Sequence, residues 1–146
     1  MTAKQTFVIE QVQTHLQAFT GHMRTYEIKD KYQPDAHFEL DVKHKLIAEN
    51  RYEVILDIEV KVKLADKELF SAQVIQGGIF QVSGYDKQQD HILESFCPNL
   101  LYPYARETIS AMVSRAGFPV LYLAPVDFES RFRQMQEAAS KEKDGS

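Results

Sequence analysis

The sequence predicts an α+β fold: long alternating segments fill the first half of the chain, a helical pattern fills the second, and the two do not interleave. The clearest strand is 52–64, where Tyr52, Val54, Leu56, Ile58, Val60, Val62 and Leu64 alternate with Glu53, Asp57, Glu59, Lys61 and Lys63. Only Ile55 breaks the pattern. A segment of that length extends roughly 43 Å at about 3.3 Å per residue, well beyond an ordinary strand. It predicts a sheet larger than one small subunit needs, and hence an oligomer. The clearest helix is 102–116, with Tyr102, Ala105, Ile109, Met112, Val113 and Ala116 at steps of three and four. A chain of 146 residues has room for one domain with a modest core. That domain is read as 1–139, and the small, charged tail 140–146 is expected to be disordered.

Each element follows in order. Near 7–19, Phe7 and Ile9 share one parity and Val12, Leu16 and Ala18 follow after a three-residue step, which reads as a bulge. Between Thr20 and Pro34 the connection, broken by Gly21 and Pro34, is too long for a hairpin and predicts a crossover. Phe38, Leu40 and Val42 alternate with Glu39, Asp41 and Lys43 in a second strand. Leu64-Ala-Asp-Lys67 is a turn into a strand over 68–82. Within it, Gly77-Gly78 marks either a kink at a close backbone approach or a turn that splits the strand. Ile92, Leu93 and Phe96 fit a short helix, Pro98 and Pro103 suit a helix start or kink, and Gly117 a stop. Pro119 and Pro125 hold 118–126 extended. Asp127 then caps a last helix whose apolar edge is Phe128, Phe132, Met135 and Ala139.

Charge and motifs exclude several functions. Acidic side chains number 21 against 17 basic, a net charge of −4 with no basic stripe, so a nucleic acid backbone would be repelled. One cysteine makes no internal disulfide, and Met1 to Glu10 lacks the pattern of a signal peptide. No apolar run approaches the roughly 18 residues of a membrane span, so membrane insertion is not expected and a cytoplasmic location is. His15, His22, His37, His44 and His91 lack the spacing of a helical zinc motif, and His37 and His44 are read as surface residues. Gly77, Gly78 and Gly84 are not followed by the Lys-Ser/Thr of a phosphate loop, and no cofactor is expected. Cys97, before Pro98 at a helix start, has two readings: an activated thiol with His91 nearby, or a buried structural residue. The second is favoured because no orienting Asp or Asn accompanies it, and no catalytic residue is predicted.

Aromatic residues concentrate towards the end of the chain. Phe96, Tyr102 and Phe118 are expected in the core between helix and sheet. Tyr122, Phe128, Phe132 and Met135 flank a proline-bounded loop and line a helix with one apolar edge, so they are expected to face a groove. Aromatics with a flexible Met recognise apolar side chains by area rather than by shape, as a promiscuous peptide binder requires.

The run from Cys97 to Phe128, CPNLLYPYARETISAMVSRAGFPVLYLAPVDF, resembles the SecB family of protein-export chaperones. So do Val74-Ile-Gln-Gly-Gly-Ile-Phe80, Tyr52-Glu-Val54 and, more faintly, Tyr32-Gln-Pro34 and Phe7, which extends the likeness over most of the chain to about Phe132. The resemblance implies an ATP-independent holdase for unfolded preproteins. It implies a four-stranded antiparallel sheet with a crossover connection, packed with a long helix and a C-terminal helix. It also implies a homotetramer, a dimer of dimers joined through the long helices. Client grooves would be walled by the second strand, the crossover and the last helix. Phe38, Leu40, Phe132 and Met135 match groove-lining positions, and Phe19, Tyr122 and Phe128 are added from burial and spacing. The family's partner is the motor SecA, whose zinc-binding tail docks on acidic side chains of the sheet. Here the chain departs, with Leu16-Gln-Ala-Phe-Thr20 in place of an Asp-Ile-Ser-Phe-Glu pattern and Gln73 in place of a fourth-strand acid. Docking is therefore expected to be weak, or displaced to Glu10, Glu53, Asp57 and Glu59. Two alternatives stand beside export. A SecB-like chaperone dedicated to one partner, such as an antitoxin, shares every core feature. A hotdog-like thioesterase, with Glu107 or Tyr104 as catalytic candidates, also joins a long helix to long strands, but its central helix precedes most of them.

Overall fold

The computed structural model of the protein describes residues 4–29 and 31–144. β1 (Thr6–Gly21), β2 (Asp35–Ala48), β3 (Arg51–Leu64) and β4 (Lys67–Ser83) form one antiparallel sheet in the order β1-β4-β3-β2. The alternation of β3 explains its two faces: Val54, Leu56, Ile58 and Val60 are fully buried, while Glu53, Asp57 and Glu59 stay half-exposed on the other side. β3 and β4 join through Ala65 and Asp66, both with left-handed φ (51° and 67°), the geometry whose twist matches a tight hairpin. β1 ends at one sheet edge and β2 begins at the other, so the segment between them is the predicted crossover.

Two features of the sheet settle or correct the sequence reading. β1 carries register breaks at two places, between Ile9 and Gln11 and between Thr14 and Leu16, rather than one. Each resets the parity, so the helix-side row is Phe7, Ile9, Val12, Thr14, Gln17 and Phe19, and Leu16 and Ala18 lie on the outer face. β4 runs unbroken through Gly77-Gly78, which removes the turn and leaves the close approach. The His15 ring lies over Gly77 on the outer face, and Phe80 and Leu101 crowd Gly78 on the helix side.

The helical layer covers the inner face. A short α1 (Gln89–His91) passes through a π turn (Ile92–Phe96) into α2 (Cys97–Arg115), which therefore starts five residues before the predicted Tyr102. Pro98 occupies the first turn, where a missing amide proton costs nothing, and Pro103 lies inside the helix. Leu101, Tyr102, Ala105, Ile109 and Val113 of α2 pack on the sheet, joined by Phe118. Phe96 departs from its predicted place in the core: it is 45% exposed and packs at an edge-to-face angle with Phe7, ring centroids 5.0 Å apart. α3 (Phe128–Asp144) continues as helix beyond Ser140, four residues into the predicted tail, where Lys-Glu-Lys sustains helical propensity. The last two residues of that tail lie outside the described residues.

Candidate functional site

An extended segment, 118–126, lies between α2 and α3 and forms one wall of an apolar groove. Its two prolines remove amide donors, and its carbonyls are tied to α2: the Tyr102 hydroxyl donates to Ala124 O at 2.5 Å and Ser110 Oγ to Leu121 O at 3.4 Å. Burial raises the Tyr102 pKa, opposed by the Arg106 guanidinium 5.6 Å from its ring, so the phenol stays a proton donor. Between this segment and the inner face of β2 is a recess of about 280 Å³. Ala36 and Phe38 form one side, Leu121 to Val126 the other, and Tyr102 the floor, with no charged group among them.

Along the inner face of β2, Leu40 and Val42 follow Phe38, and His44 lies where the base of α3 stands. There the π turn presents two side chains that hold α3. Glu94 takes a hydrogen bond of 2.8 Å from His44 on β2 and one of 3.4 Å from Arg131 on α3. Ser95 Oγ donates to Glu129 at 2.8 Å, and His91 bonds the same carboxylate while stacking on Phe132 at 5.2 Å. Asp127 caps α3, accepting from Ser130 N at 3.0 Å and Ser130 Oγ at 2.8 Å. These bonds lower the carboxyl pKa values: Ser130, first through its backbone, acts on Asp127, and Ser95 and then His91 act on Glu129. Beyond Phe132 the helix stands exposed as far as Glu142.

The seven predicted site residues are not gathered in one place. Phe38 and Tyr122 face each other across the recess, and Tyr122 is 88% exposed. Leu40 is on the same face of β2, two residues along. Phe132 and Met135 lie on α3 at the far end, Met135 being 45% exposed. Phe128 is 2% exposed and packs edge-on against Tyr102 at 6.0 Å, so it offers no surface to a ligand. Phe19 shares a row with Phe38 through Ala72 and Val60, but at the opposite sheet edge, stacked on Phe70 at 5.4 Å and beside Phe118 at 6.2 Å. Sequence reasoning missed Ala36, Leu121 and Leu123. Ala36 has the parity of Phe38, and that signal was too weak in a small side chain to extend the strand.

The outer face of the sheet carries Leu16, Thr20 and Gln73 together with Glu53, Asp57 and Glu59. Most of these acids have local partners: Arg51 for Glu10 at 3.0 Å, His15 and Lys45 for Glu53 at 3.8 Å, Lys61 for Glu59 at 3.7 Å, and the Gln73 amide for Asp57 at 3.0 Å. Cys97 is fully buried, and burial pushes its thiol up to about 12, which leaves no thiolate nucleophile at neutral pH. Among the described residues, no group of three or more His, Cys, Asp or Glu is placed to hold a metal, and no helix is long and apolar enough to cross a membrane.

Comparison with known proteins bears on the whole chain. The family model described as "Preprotein translocase subunit SecB" matches residues 2–139. Among solved structures, the chain is similar to the SecB-like chaperone Rv1957 of Mycobacterium tuberculosis, in complex with a ChAD peptide from the antitoxin HigA1. The TM-score is 0.68 at 13% identity, over 82% of this chain and 90% of that one, a likeness of fold. A protein of unknown function from Streptococcus agalactiae aligns at 14% identity and a TM-score of 0.45, over 84% of this chain and 99% of that one. With the family model spanning nearly all of the sheet and helices described above, the chain belongs to the SecB family.

Proposed function

We propose that the protein is an ATP-independent holdase that keeps unfolded polypeptides, preproteins among them, from aggregating in the cytoplasm. Members of the SecB family are chaperones rather than enzymes. The observation that carries the reading is the uncharged recess between Phe38 and Tyr122, open to solvent. Its walls recognise apolar side chains by contact area, and the exposed Tyr122 and Met135 adapt to different clients. Client binding should need no nucleotide and show a negative heat-capacity change as apolar surface is buried. Phe38→Ala and Tyr122→Ala should each weaken an unfolded client about thirtyfold, the scale of a truncated hot-spot aromatic, with the fold intact by circular dichroism. Unchanged affinity in both variants would move the site elsewhere.

The assembly that fits this reading is a homotetramer of about 67 kDa, four chains of 16.8 kDa in closed two-fold symmetry. The exposed side of α2, with Tyr104, Glu107 and Ala111, is the helical interface. Light scattering on a sizing column measures the mass, and a concentration-independent monomer contradicts it. A second reading, service to one dedicated partner, is favoured by Leu16, Thr20 and Gln73, which remove acids from the outer face. Proteins that co-purify from cells separate the two: one abundant partner supports dedication, many unfolded precursors support export.

A further inference from the structure

We infer that Glu94 is a positioning residue for client binding: its carboxylate straps α3 to β2, fixing the apolar edge of the helix relative to the recess so that one unfolded client engages both. The two apolar surfaces stand apart. Phe38 lines the recess, and His44 lies six residues further along β2, roughly 20 Å at about 3.3 Å per residue, beside the base of the helix that carries Phe132 and Met135. Among the described residues Glu94 is the one side chain hydrogen-bonded to both elements, at 2.8 Å to His44 on β2 and 3.4 Å to Arg131 on α3.

Partial burial gives the strap its strength. Side-chain exposure is 14% for Glu94, 23% for Arg131 and 28% for His44, so these bonds are shielded more than those of an open surface ion pair. The other ties of α3 end within the helical layer: Ser95 and His91 on Glu129, Tyr102 against Phe128, and the Asp127 cap inside α3 itself. They hold the base of the helix, and none of them reaches β2. Glu94 stands in the π turn, a rare local widening of a helix that recurs at functional sites. Beyond Phe132 the helix is exposed, so a small rotation at its base displaces Met135 and everything after it. Two apolar surfaces in fixed relation hold a long client at the effective concentration set by their spacing. A helix free to turn about its base lowers that concentration without removing either surface.

The proposal rests on the holdase reading above and deepens it by naming the side chain that holds the two surfaces together. The test uses the full chain and two probes. A reduced, alkylated unfolded protein spans both surfaces, whereas a tetrapeptide of Phe and Leu extends over roughly 13 Å at about 3.3 Å per residue and reaches only one. Glu94→Ala should weaken the unfolded protein about tenfold by titration calorimetry and leave the tetrapeptide within about twofold by NMR titration, a split that general loss of structure would not produce. Glu94→Gln, which keeps an acceptor for Arg131, should fall between. Glu94→Arg and Arg131→Glu should each act like Glu94→Ala, and the two together should restore binding, since the swapped pair ties the helix again. Circular dichroism checks that every variant remains folded. Equal weakening of both probes, an unfolded protein held as tightly as by the parent, or a swap that fails to recover overturns the strap and leaves the holdase reading in place. A parent that binds neither probe overturns both.

Discussion

Gly77 and Gly78 adjoin on β4 yet face opposite sides of the sheet, and the difference predicts different costs for the same substitution. A Cβ on Gly78 would stand 2.7 Å from Phe80 and 2.9 Å from Leu101, two fully buried side chains that fix the approach of α2 to the sheet. Neither can swing away, so Gly78→Ala should destabilise by about 1–3 kcal/mol, the usual cost of overpacking. A Cβ on Gly77 would meet the end of the His15 ring at 2.2 Å, but that ring lies on the open outer face and can rotate away, giving up a 3.8 Å contact with Glu53. Gly77→Ala should stay within about 0.5 kcal/mol of the parent. Denaturant unfolding of both variants measures the difference, and equal costs would refute this account of the packing. Sequence alone left the pair open between a kink and a turn, because the deciding atoms belong to His15 and Leu101, far away in the chain. The same holds for Phe128: helical spacing placed it on the apolar edge of α3, but only the position of Tyr102 shows that this part of the edge is buried.

α3 is held at its base by the buried Phe128 together with charge and hydrogen bonds, and the charged part makes its docking sensitive to acid. Asp127 and Glu129 have folded pKa values below their ordinary 3.8 and 4.5, through bonds from Ser130 and from Ser95 with His91. A depressed pKa contributes stability above the ordinary value and loses it as the pH falls through the folded one. Docking of α3 should therefore be complete at pH 6, weaken as the pH drops below about 4, and fail before the sheet unfolds. Hydrogen exchange of α3 amides against those of β3 and β4, corrected for intrinsic rates, follows this. Asp127→Asn should keep part of the cap while flattening the acid dependence. If α3 and the sheet lose protection together, the latch is not a separate unit. The cap was legible from Asp127 before an apolar run, since capping is local chemistry. Glu94 and Ser95 were not, because the π turn that aims them at α3 has no sequence signature at the level of spacing.

At the scale of the molecule, the alternation of β3, the helical pattern after it and the length of the connection after β1 were enough to read an α+β fold with a crossover, because periodicity and loop reach are local quantities. Face assignment on β1 failed at its second bulge: one extra residue turns every later side chain over, so Leu16 and Ala18 moved outside and Phe19 moved inside. That shift bears on the docking of a SecA tail expected from the family resemblance. Leu16, Thr20 and Gln73 all lie on the outer face, where the remaining acids are largely occupied by Arg51, His15, Lys45, Lys61 and the Gln73 amide. Partnered carboxylates steer a basic tail weakly, and salt screens what remains. Titration calorimetry of the motor's tail peptide should give weak binding that falls further at physiological salt. Leu16→Asp with Thr20→Glu should strengthen it several-fold at low salt, since neither side chain opposes an acid across the sheet. Gln73→Glu should add little, because Glu59 lies directly opposite and the bond to Asp57 is lost. Submicromolar binding by the parent, unchanged by the two added acids, would place the docking surface away from β1.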